Sequence, residues 1–313
     1  MIISASRRTD IPAFYSKWFM NRIYEGKVVV YNPYNKCGYE VSLNPKNIDA
    51  IVFWSKNYGP LIPKLDELKR EYNLYFLFTI TGLKDILEDN VIPPEKAIEQ
   101  LKYISRSFSP NHIQWRFDPI VLTNKTPKEF YIDKFYQLAK ELKGYTRRCY
   151  ISFANIYKKN EKNFKLLEKK RGIHLLESDE KNMKDIANEI ADIGENFGIK
   201  ILSCCNDFLV GDKISKARCI DINILEELFS IDIKSKPSPT RPQCACYKSI
   251  DIGVYNTCPH GCWYCYANYD KETATKNFQQ HDPDSDFLLN RKIKVIKELK
   301  EDEKEKETQL SLF

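Results

Sequence analysis

The chain alternates short apolar runs with longer segments in which apolar residues recur every three or four positions. The short runs are rich in β-branched and aromatic residues, which favours strands. They are IISAS (2–6), VVVYN (28–32), AIVFW (50–54), LYFLFTI (74–80), IQWRF (113–117), CYISF (149–153), IKILSC (199–204) and, after a linker, SIDIGVY (249–255).

The segments between these runs have helical spacing, which is clearest at 14–26, 95–107 and 128–144. Strands that alternate with helix-length segments are typical of consecutive βα units. The pattern therefore predicts an α/β fold, with parallel strands arranged as a (β/α) barrel of the TIM type or as a partial barrel.

Changes in composition divide the chain into three parts. Residues 1–233 carry the βα units, and the proline-bearing segment KSKPSPTRPQ (234–243) begins a second part. Residues 234–270 comprise this linker, a closing strand and a cysteine-rich loop. Residues 271–313 form a polar helical tail that ends in QLSLF and is too polar to fold alone.

The composition predicts a cytoplasmic protein with a sizeable core. Of 313 residues, 42% are hydrophobic and 29% charged, and no apolar run approaches the roughly 18 residues of a membrane span. The opening MIISASRRTD does not resemble a secretory signal, and ten cysteines in a reducing compartment favour metal ligation over disulfides. The net charge of +6 is compatible with a polyanionic partner and also with none.

Polar side chains cluster where the predicted strands end. In a barrel these positions share the rim where ligands bind. The candidate catalytic residues are Arg116, Asp118 and Lys56. The strand ending RFDP places Arg116 and Asp118 beside aromatic residues, which is costly for charges that have no partners.

The segment YNTCPHGCWYCYAN (255–268) carries three cysteines at Cys-x3-Cys-x2-Cys spacing: Cys258, Cys262 and Cys265. Three thiolates at this spacing can hold three irons of a 4Fe-4S cluster and leave the fourth iron open to a small molecule. The alternative is a structural zinc site, completed by Cys244, Cys246 or His260.

This loop resembles the cluster loop of radical S-adenosylmethionine enzymes and is most similar to the spore photoproduct lyase-like branch. The resemblance implies that Cys258, Cys262 and Cys265 bind a 4Fe-4S cluster and that Tyr264 lies near the adenine of S-adenosylmethionine. It also implies reductive cleavage of S-adenosylmethionine to a 5′-deoxyadenosyl radical, with an electron donor such as flavodoxin or ferredoxin.

The loop usually belongs to the first βα unit, but here it follows SIDIGVY near the end of the chain. If SIDIGVY lies beside IISAS, the barrel is a circular permutation of the usual order. ISASRRTDIPAFY, CID, CAC and DIGVYNTC also resemble an uncharacterised bacterial domain-of-unknown-function family over nearly the full length.

The glycine-glycine-glutamate stretch that binds the methionine amine in the radical family is missing after IISAS. The chain has Arg7, Arg8, Thr9 and Asp10 there. Asp10 or Asp118 could receive the amine, and an arginine could pair with the carboxylate. We therefore take Arg7, Arg8 and Asp10 as candidate cofactor-binding residues.

Further cysteines predict a second metal site. Cys205, Cys219, Cys244 and Cys246 could hold a second 4Fe-4S cluster, although Cys204 competes with Cys205 for this role. Zinc and no metal remain the alternatives for this set.

The ending QLSLF resembles the pentapeptide with which bacterial polymerases and repair proteins bind the DNA sliding clamp. Leu310, Leu312 and Phe313 could fill an apolar pocket while Gln309 forms a hydrogen bond at its edge; the alternative is docking on the protein itself. Together with aromatic and basic residues in VYNPYNK and NIYKKN, this favours a radical enzyme that acts on DNA or another nucleic-acid-derived substrate. The alternatives are a non-catalytic iron-sulfur protein, which senses redox state or binds nucleic acid, and a structural zinc protein.

Overall fold

The computed structural model describes residues 1–32, 37–156, 158–289 and 294–296. The strands are β1 (Ile2–Ala5), β2 (Lys27–Asn32), β3 (Cys37–Ser42), β4 (Ala50–Ser55), β5 (Leu74–Thr79), β6 (Ile113–Ile120), β7 (Arg148–Phe153), β8 (Lys200–Ser203), β9 (Ser215–Lys216), β10 (Ile250–Asp251) and β11 (Lys294–Ile296). The α-helices are α1 (Ile11–Phe14), α2 (Ser16–Glu25), α3 (Leu65–Leu68), α4 (Pro94–Ser107), α5 (Lys128–Leu142), α6 (Lys158–Arg171), α7 (Glu180–Asn196), α8 (Ile222–Phe229) and α9 (Lys271–Gln279).

The chain forms two compact units, each assembled from separate stretches of sequence. The first unit combines Met1–Phe76, Arg218–Pro259 and the described residues after Tyr269. The second unit combines Leu77–Ala217 with His260–Tyr269. The boundary at residues 259 and 260 falls inside the three-cysteine loop, so this loop contributes to both units.

The main sheet has eight strands in the order β10-β1-β4-β5-β6-β7-β8-β9. In the first unit β1 pairs in parallel with β4 and with β10, and in the second unit β6, β7, β8 and β9 pair in parallel. These pairings confirm the predicted α/β fold with a large parallel sheet. They also confirm the expected position of β10 beside β1, with Ile3 opposite Ile250 and Ser4 opposite Asp251.

The run VVVYN (28–32) does not open a further βα unit, and the expectation that it joins the parallel series is wrong. It lies in β2, which pairs with β3 in antiparallel register, Val28 opposite Val41 and Val30 opposite Tyr39. With β11 on the other side of β3, these strands form a separate sheet in the first unit. An apolar run predicts a buried strand but does not specify its partner.

Aromatic side chains form the core of the first unit around β4. All residues from Ala50 to Phe53 are fully buried, as expected for a strand of a parallel sheet that is covered on both faces. Phe53 stacks on Phe76 at 5.8 Å between ring centroids and meets the edge of Phe19 at 5.4 Å. Phe19 belongs to α2, so this contact fixes the helix against the sheet.

The core of the second unit packs α5 against β6. Trp115 stacks on Phe135 with 4.9 Å between ring centroids, and Phe117 contacts Phe135 and Tyr131 edge-on. Each pair of aromatic rings adds about 0.5 to 1.5 kcal/mol to what its burial contributes. Among the described residues, no helix has the length and apolar character needed to cross a membrane.

Candidate functional site

The carboxyl end of β10 presents a buried carboxylate to the end of β1. Asp251 accepts hydrogen bonds from Ser4 Oγ at 2.9 Å, from Ser6 Oγ at 2.6 Å and from the backbone N–H groups of Arg7 and Gly253 at 2.8 and 3.0 Å. The Arg7 Nε atom lies 3.6 Å from the same carboxylate. Asp251 therefore orients the first residues of the segment that follows β1.

A second buried carboxylate joins that segment to the end of β4. Asp10 caps α1, accepting from the Ala13 N–H at 3.0 Å, and also accepts from Ser55 Oγ at 2.6 Å and from the backbone N–H of Lys56 at 2.8 Å. The structure thus places Asp10 and Lys56, both singled out in the sequence, at neighbouring strand ends of the first unit. The hydrogen bonds at Asp10 serve to hold the local backbone.

Two guanidinium groups lie over aromatic rings at this edge of the first unit. Arg7 lies 5.9 Å from the ring centroid of Trp54, and Arg8 lies 5.3 Å from that of Tyr255. Burial raises the pKa of Tyr255, while the charge of Arg8 lowers it. Because arginine stays protonated, Arg7 and Arg8 bring two cations to this edge, where the carboxylates of Asp251 and Asp10 also lie.

Three of the four cysteines predicted for a second metal site meet in the first unit. Cys246 is buried, and its thiol interacts with those of Cys219 and Cys244. The interaction with Cys219 lowers the pKa of Cys246, but the interaction with Cys244 and burial outweigh it and raise that pKa to about 11. The fourth cysteine, Cys205, belongs to the second unit, where its Sγ lies 3.9 Å from that of Cys204.

The first cysteine of the three-cysteine loop follows a backbone carbonyl held by a buried tyrosine. Tyr15 donates its hydroxyl to Thr257 O at 2.5 Å. Burial raises the pKa of Tyr15 well above its usual range, and the negative charge of a Cys258 thiolate raises it further. Tyr15 therefore fixes the backbone immediately before Cys258.

The second half of the loop is tied to the segment around Glu88. Cys262 forms an isolated bridge with Glu88, and the Trp263 N–H donates to Leu87 O at 3.0 Å. Tyr264 donates its hydroxyl to the buried Glu88 carboxylate. Burial raises the pKa of Tyr264 well above its usual range, and the charge of Glu88 adds to this effect.

Neighbouring side chains extend this attachment. Trp263 Nε1 donates to Asp89 at 3.0 Å, and Arg171 forms an ion pair with the same carboxylate at 2.9 Å. The buried His260 is held through its backbone oxygen, which accepts from the Asn90 N–H at 2.9 Å. The loop backbone is thus fixed on both sides of Cys262.

Arg116 and Asp118, the predicted catalytic pair on β6, bind one another. Arg116 Nε donates to one carboxylate oxygen of Asp118 at 2.9 Å and Nη2 donates to the other at 2.5 Å, while Ser152 Oγ donates at 3.3 Å. This bidentate pair supplies the partners that a buried charge at a strand end requires.

All ten cysteines lie in the described part of the chain, and none of them forms a disulfide. Within that same part, no group of three or more His, Cys, Asp or Glu side chains is arranged to hold a metal ion. The clamp-binding candidates Gln309, Leu310, Leu312 and Phe313 lie outside the described residues.

Sequence reasoning missed Asp251, Glu88 and Tyr15. Glu88 is a single acid, and nothing in the residues beside it distinguishes it from a surface carboxylate. A weak signal existed for Asp251, because an acid inside the apolar run SIDIGVY must be buried and must therefore find donors.

A family model described as Domain of unknown function (DUF1848) matches residues 2–267. This match covers most of the chain and confirms the resemblance carried by ISASRRTDIPAFY and DIGVYNTC. No curated protein sequence matches the chain.

Proposed function

The chain belongs to the family Domain of unknown function (DUF1848), and from that premise we propose that it is an iron-sulfur enzyme of the radical S-adenosylmethionine type. The observation that carries the proposal is the triplet Cys258, Cys262 and Cys265, with Tyr264 before the last cysteine. Three thiolates in one short loop suit a 4Fe-4S cluster with one open iron.

The loop residues fit such a cluster in their chemistry. Their thiols form no disulfide, Cys258 and Cys265 are half-buried and Cys262 is buried, so the site combines shielding with access for a small molecule. The backbone is held by Tyr15 before Cys258 and by the segment around Glu88 after it. The bound cluster would supply the electron for reductive cleavage of S-adenosylmethionine.

Roles for the remaining candidates follow from their charge. Arg7 and Arg8 offer permanent positive charges that would bind the carboxylate of S-adenosylmethionine. Binding of its amine by Asp10 or Asp118 stays a prediction. Lys56, Arg116 and Asp118 are the proposed catalytic residues. A second cluster that includes Cys205 also stays a prediction, as do cytoplasmic location, circular permutation and closure of a barrel.

We propose DNA or another nucleic-acid-derived molecule as the substrate class. Support comes from the net charge of +6, the basic and aromatic segments and the clamp-like QLSLF ending. Lysine and arginine neutralise phosphates, while aromatic side chains stack on bases.

The test is anaerobic reconstitution with iron and sulfide, followed by reduction and addition of S-adenosylmethionine. We expect a cluster whose EPR signal changes on adding S-adenosylmethionine, together with release of 5′-deoxyadenosine. Cys262→Ala should lose both signals, whereas the control Cys37→Ala, in β3, should keep them.

Other outcomes favour other functions. A reconstituted cluster whose EPR signal ignores S-adenosylmethionine would favour a non-catalytic iron-sulfur protein. Zinc in place of iron in anaerobically purified protein would favour the structural zinc alternative.

A further inference from the structure

Two adjacent thiols lie in contact just after β8, in the second unit. The Sγ atoms of Cys204 and Cys205 are 3.9 Å apart, and neither residue belongs to the three-cysteine loop. Consecutive side chains of a strand point to opposite faces of the sheet, which keeps neighbouring sulfurs apart. The contact therefore requires a departure from strand geometry at this point.

The departure lies in the backbone of Cys205. Its φ of 59° falls in the left-handed region, which residues other than glycine rarely adopt. Cys204 still continues the parallel pairing of β8, because its N–H donates to Ile151 O in β7 at 2.9 Å. The chain thus turns after Cys204, and the turn brings the second sulfur to the side of the first.

Hydrogen bonds fix the residues on both sides of the pair. Ser203 Oγ donates to Asn206 O at 2.8 Å, and the side-chain oxygen of Asn206 accepts from the Phe153 N–H at 2.8 Å. Cys204 and Cys205 are 5% and 7% exposed, so the thiols are held together and shielded from bulky reagents. Such a site admits a small, neutral oxidant more readily than a large one.

We propose that Cys204 and Cys205 are a site of reversible oxidation, at which a peroxide converts the two thiols into a disulfide. Hydrogen peroxide transfers one oxygen atom to the first sulfur, which gives a sulfenic acid and one water. The second sulfur then attacks the first, the S–O bond breaks, and the hydroxyl group leaves with the second thiol proton as water. The two sulfurs together lose two electrons, and these reduce the peroxide.

The adjacency of the two residues makes this disulfide easy to reduce. Adjacent Cα atoms are about 3.8 Å apart, whereas ordinary disulfides join Cα atoms about 4.4 to 6.8 Å apart. The bond is therefore strained, and strained disulfides are the labile ones that serve regulation. Oxidation also withdraws Cys205 from metal binding, so this use of Cys205 excludes its role as a cluster ligand.

The experiment treats the full chain, purified anaerobically, with hydrogen peroxide and maps its peptides by mass spectrometry. Trypsin releases residues 201–213 (ILSCCNDFLVGDK), in which Cys204 and Cys205 are the only cysteines. We expect this peptide to lose two hydrogen atoms, to become about tenfold less reactive toward iodoacetamide and to recover both thiols after dithiothreitol. The control is Cys149, which is fully buried in β7 and should keep its thiol.

Single variants test whether both sulfurs take part. In Cys204→Ser and in Cys205→Ser the sulfenic acid on the remaining sulfur has no adjacent thiol to displace its hydroxyl, so dimedone should form an adduct on peptide 201–213. The native protein should give the disulfide in place of this adduct. The proposal is overturned if native 201–213 stays reduced at a peroxide excess that fully oxidises free cysteine, if it ends as sulfonic acid, or if it is joined to another peptide.

Loss of bound iron in Cys205→Ser, with iron retained in Cys149→Ser, would also overturn the proposal, since Cys205 would then be a metal ligand. The measurement on 201–213 needs neither the loop cluster nor S-adenosylmethionine. Failure of the oxidation site and failure of the proposed radical function are therefore separate results.

Discussion

At the residue scale, Asp251 organises the end of β1. Two hydroxyls and two backbone N–H groups donate to its buried carboxylate. Hydrogen bonds to a charged group contribute about 1.5 to 3 kcal/mol each where the geometry is good. The backbone just after β10 passes close to the Ser6 side chain at Gly253. The absence of a side chain at Gly253 permits this close approach.

Gly253→Ala is expected to destabilise the protein by about 1 to 3 kcal/mol, the usual cost of overpacking. A Cβ atom at this position would overlap Ser6 Oγ and lie 2.6 Å from Ser6 Cβ and 3.0 Å from Thr9 Cγ2. Denaturant unfolding measures the effect. The control Gly211→Ala, whose Cβ would meet nothing within 4 Å, should stay within about 0.5 kcal/mol of the parent. Equal stability of the two variants would contradict the packing described.

His281 predicts a pH dependence. Its Nδ1 donates to Leu288 O at 2.8 Å, its ring meets Tyr15 edge-on at 4.7 Å, and Nε2 is buried without a partner. Burial lowers its pKa below the unfolded value of about 6.5.

The unfolded state therefore binds more protons between the two pKa values, so the contribution of His281 is complete above pH about 6.5 and is lost as the pH falls through the folded pKa. We expect the free energy of unfolding to decline on acidification below that value, and His281→Gln to flatten the decline. Burial also lowers the pKa of His112. His112→Gln should therefore remove a separate part of the decline in the free energy of unfolding at low pH. An unchanged profile in His281→Gln would show that this ring does not titrate as described.

At the scale of elements, side chains of α2 form hydrogen bonds to the segment that follows α9. The fully buried Arg22 donates to Asp286 at 2.6 Å, to both oxygens of Glu25 at 2.8 Å and to Asp284 O at 2.9 Å. Trp18 Nε1 adds a hydrogen bond to Ser285 O at 2.8 Å. One helix face thus binds residues more than 260 positions away in the sequence.

Arg22→Met should lower the free energy of unfolding by about 2 to 4 kcal/mol, because the apolar side chain keeps the packing but leaves a carbonyl and two acids without their donor. Limited proteolysis should become faster within 282–289. The control Lys27→Met, which breaks an exposed ion pair with Glu40, should leave the free energy of unfolding nearly unchanged because solvent screens that pair. If Arg22→Met and Lys27→Met lowered the free energy of unfolding by similar amounts, burial would not strengthen the contacts of Arg22.

Elements with strong apolar periodicity could be predicted from the sequence. The runs at 50–54, 74–80 and 149–153 coincide closely with strands of the main sheet. Helices α2 and α5 lie within their predicted segments, and α4 begins one residue before its segment. The polar strand β3 was missed because alternation in CGYEVS is weak, and the partner of β2 was therefore wrong. SIDIGVY forms a strand only at Ile250–Asp251, and the carboxylate of Asp251 accepts hydrogen bonds from residues at and just after the end of β1.

Parts of the candidate site were predictable for a similar reason. The cysteines and the arginines after IISAS stand out as residue types, and the structure brings Cys219, Cys244 and Cys246 together. Asp251 and Glu88 could not be found in this way, because their donors are distant in sequence or are ordinary residues such as Thr81.

At the scale of the whole molecule, the proposal that the enzyme acts on DNA rests on the net charge and on the QLSLF ending. If this ending binds the sliding clamp, it would hold the protein near DNA and so raise the local concentration of its substrate. The proposed substrate class therefore depends in part on whether this ending binds the sliding clamp.

A peptide of residues 299–313 is expected to bind purified sliding clamp, and full-length protein lacking 309–313 should lose that binding. Leu310, Leu312 and Phe313 supply the apolar contacts, so a peptide with these three changed to alanine is the matched control. Calorimetric titration gives the affinities. If neither the peptide nor the intact protein binds, the clamp hypothesis fails and the DNA proposal loses this support.

The pairing of β1 with β10 has a consequence for protein synthesis. Ser4 leaves the ribosome 247 residues ahead of Asp251. Until β10 has been synthesised, one side of β1 has no strand to pair with. An unpaired strand edge of this kind can pair with other chains. Completion of the first unit must await synthesis of the chain through Asp251 and beyond, and such long-range pairing is slow to form and leaves the nascent chain exposed to aggregation.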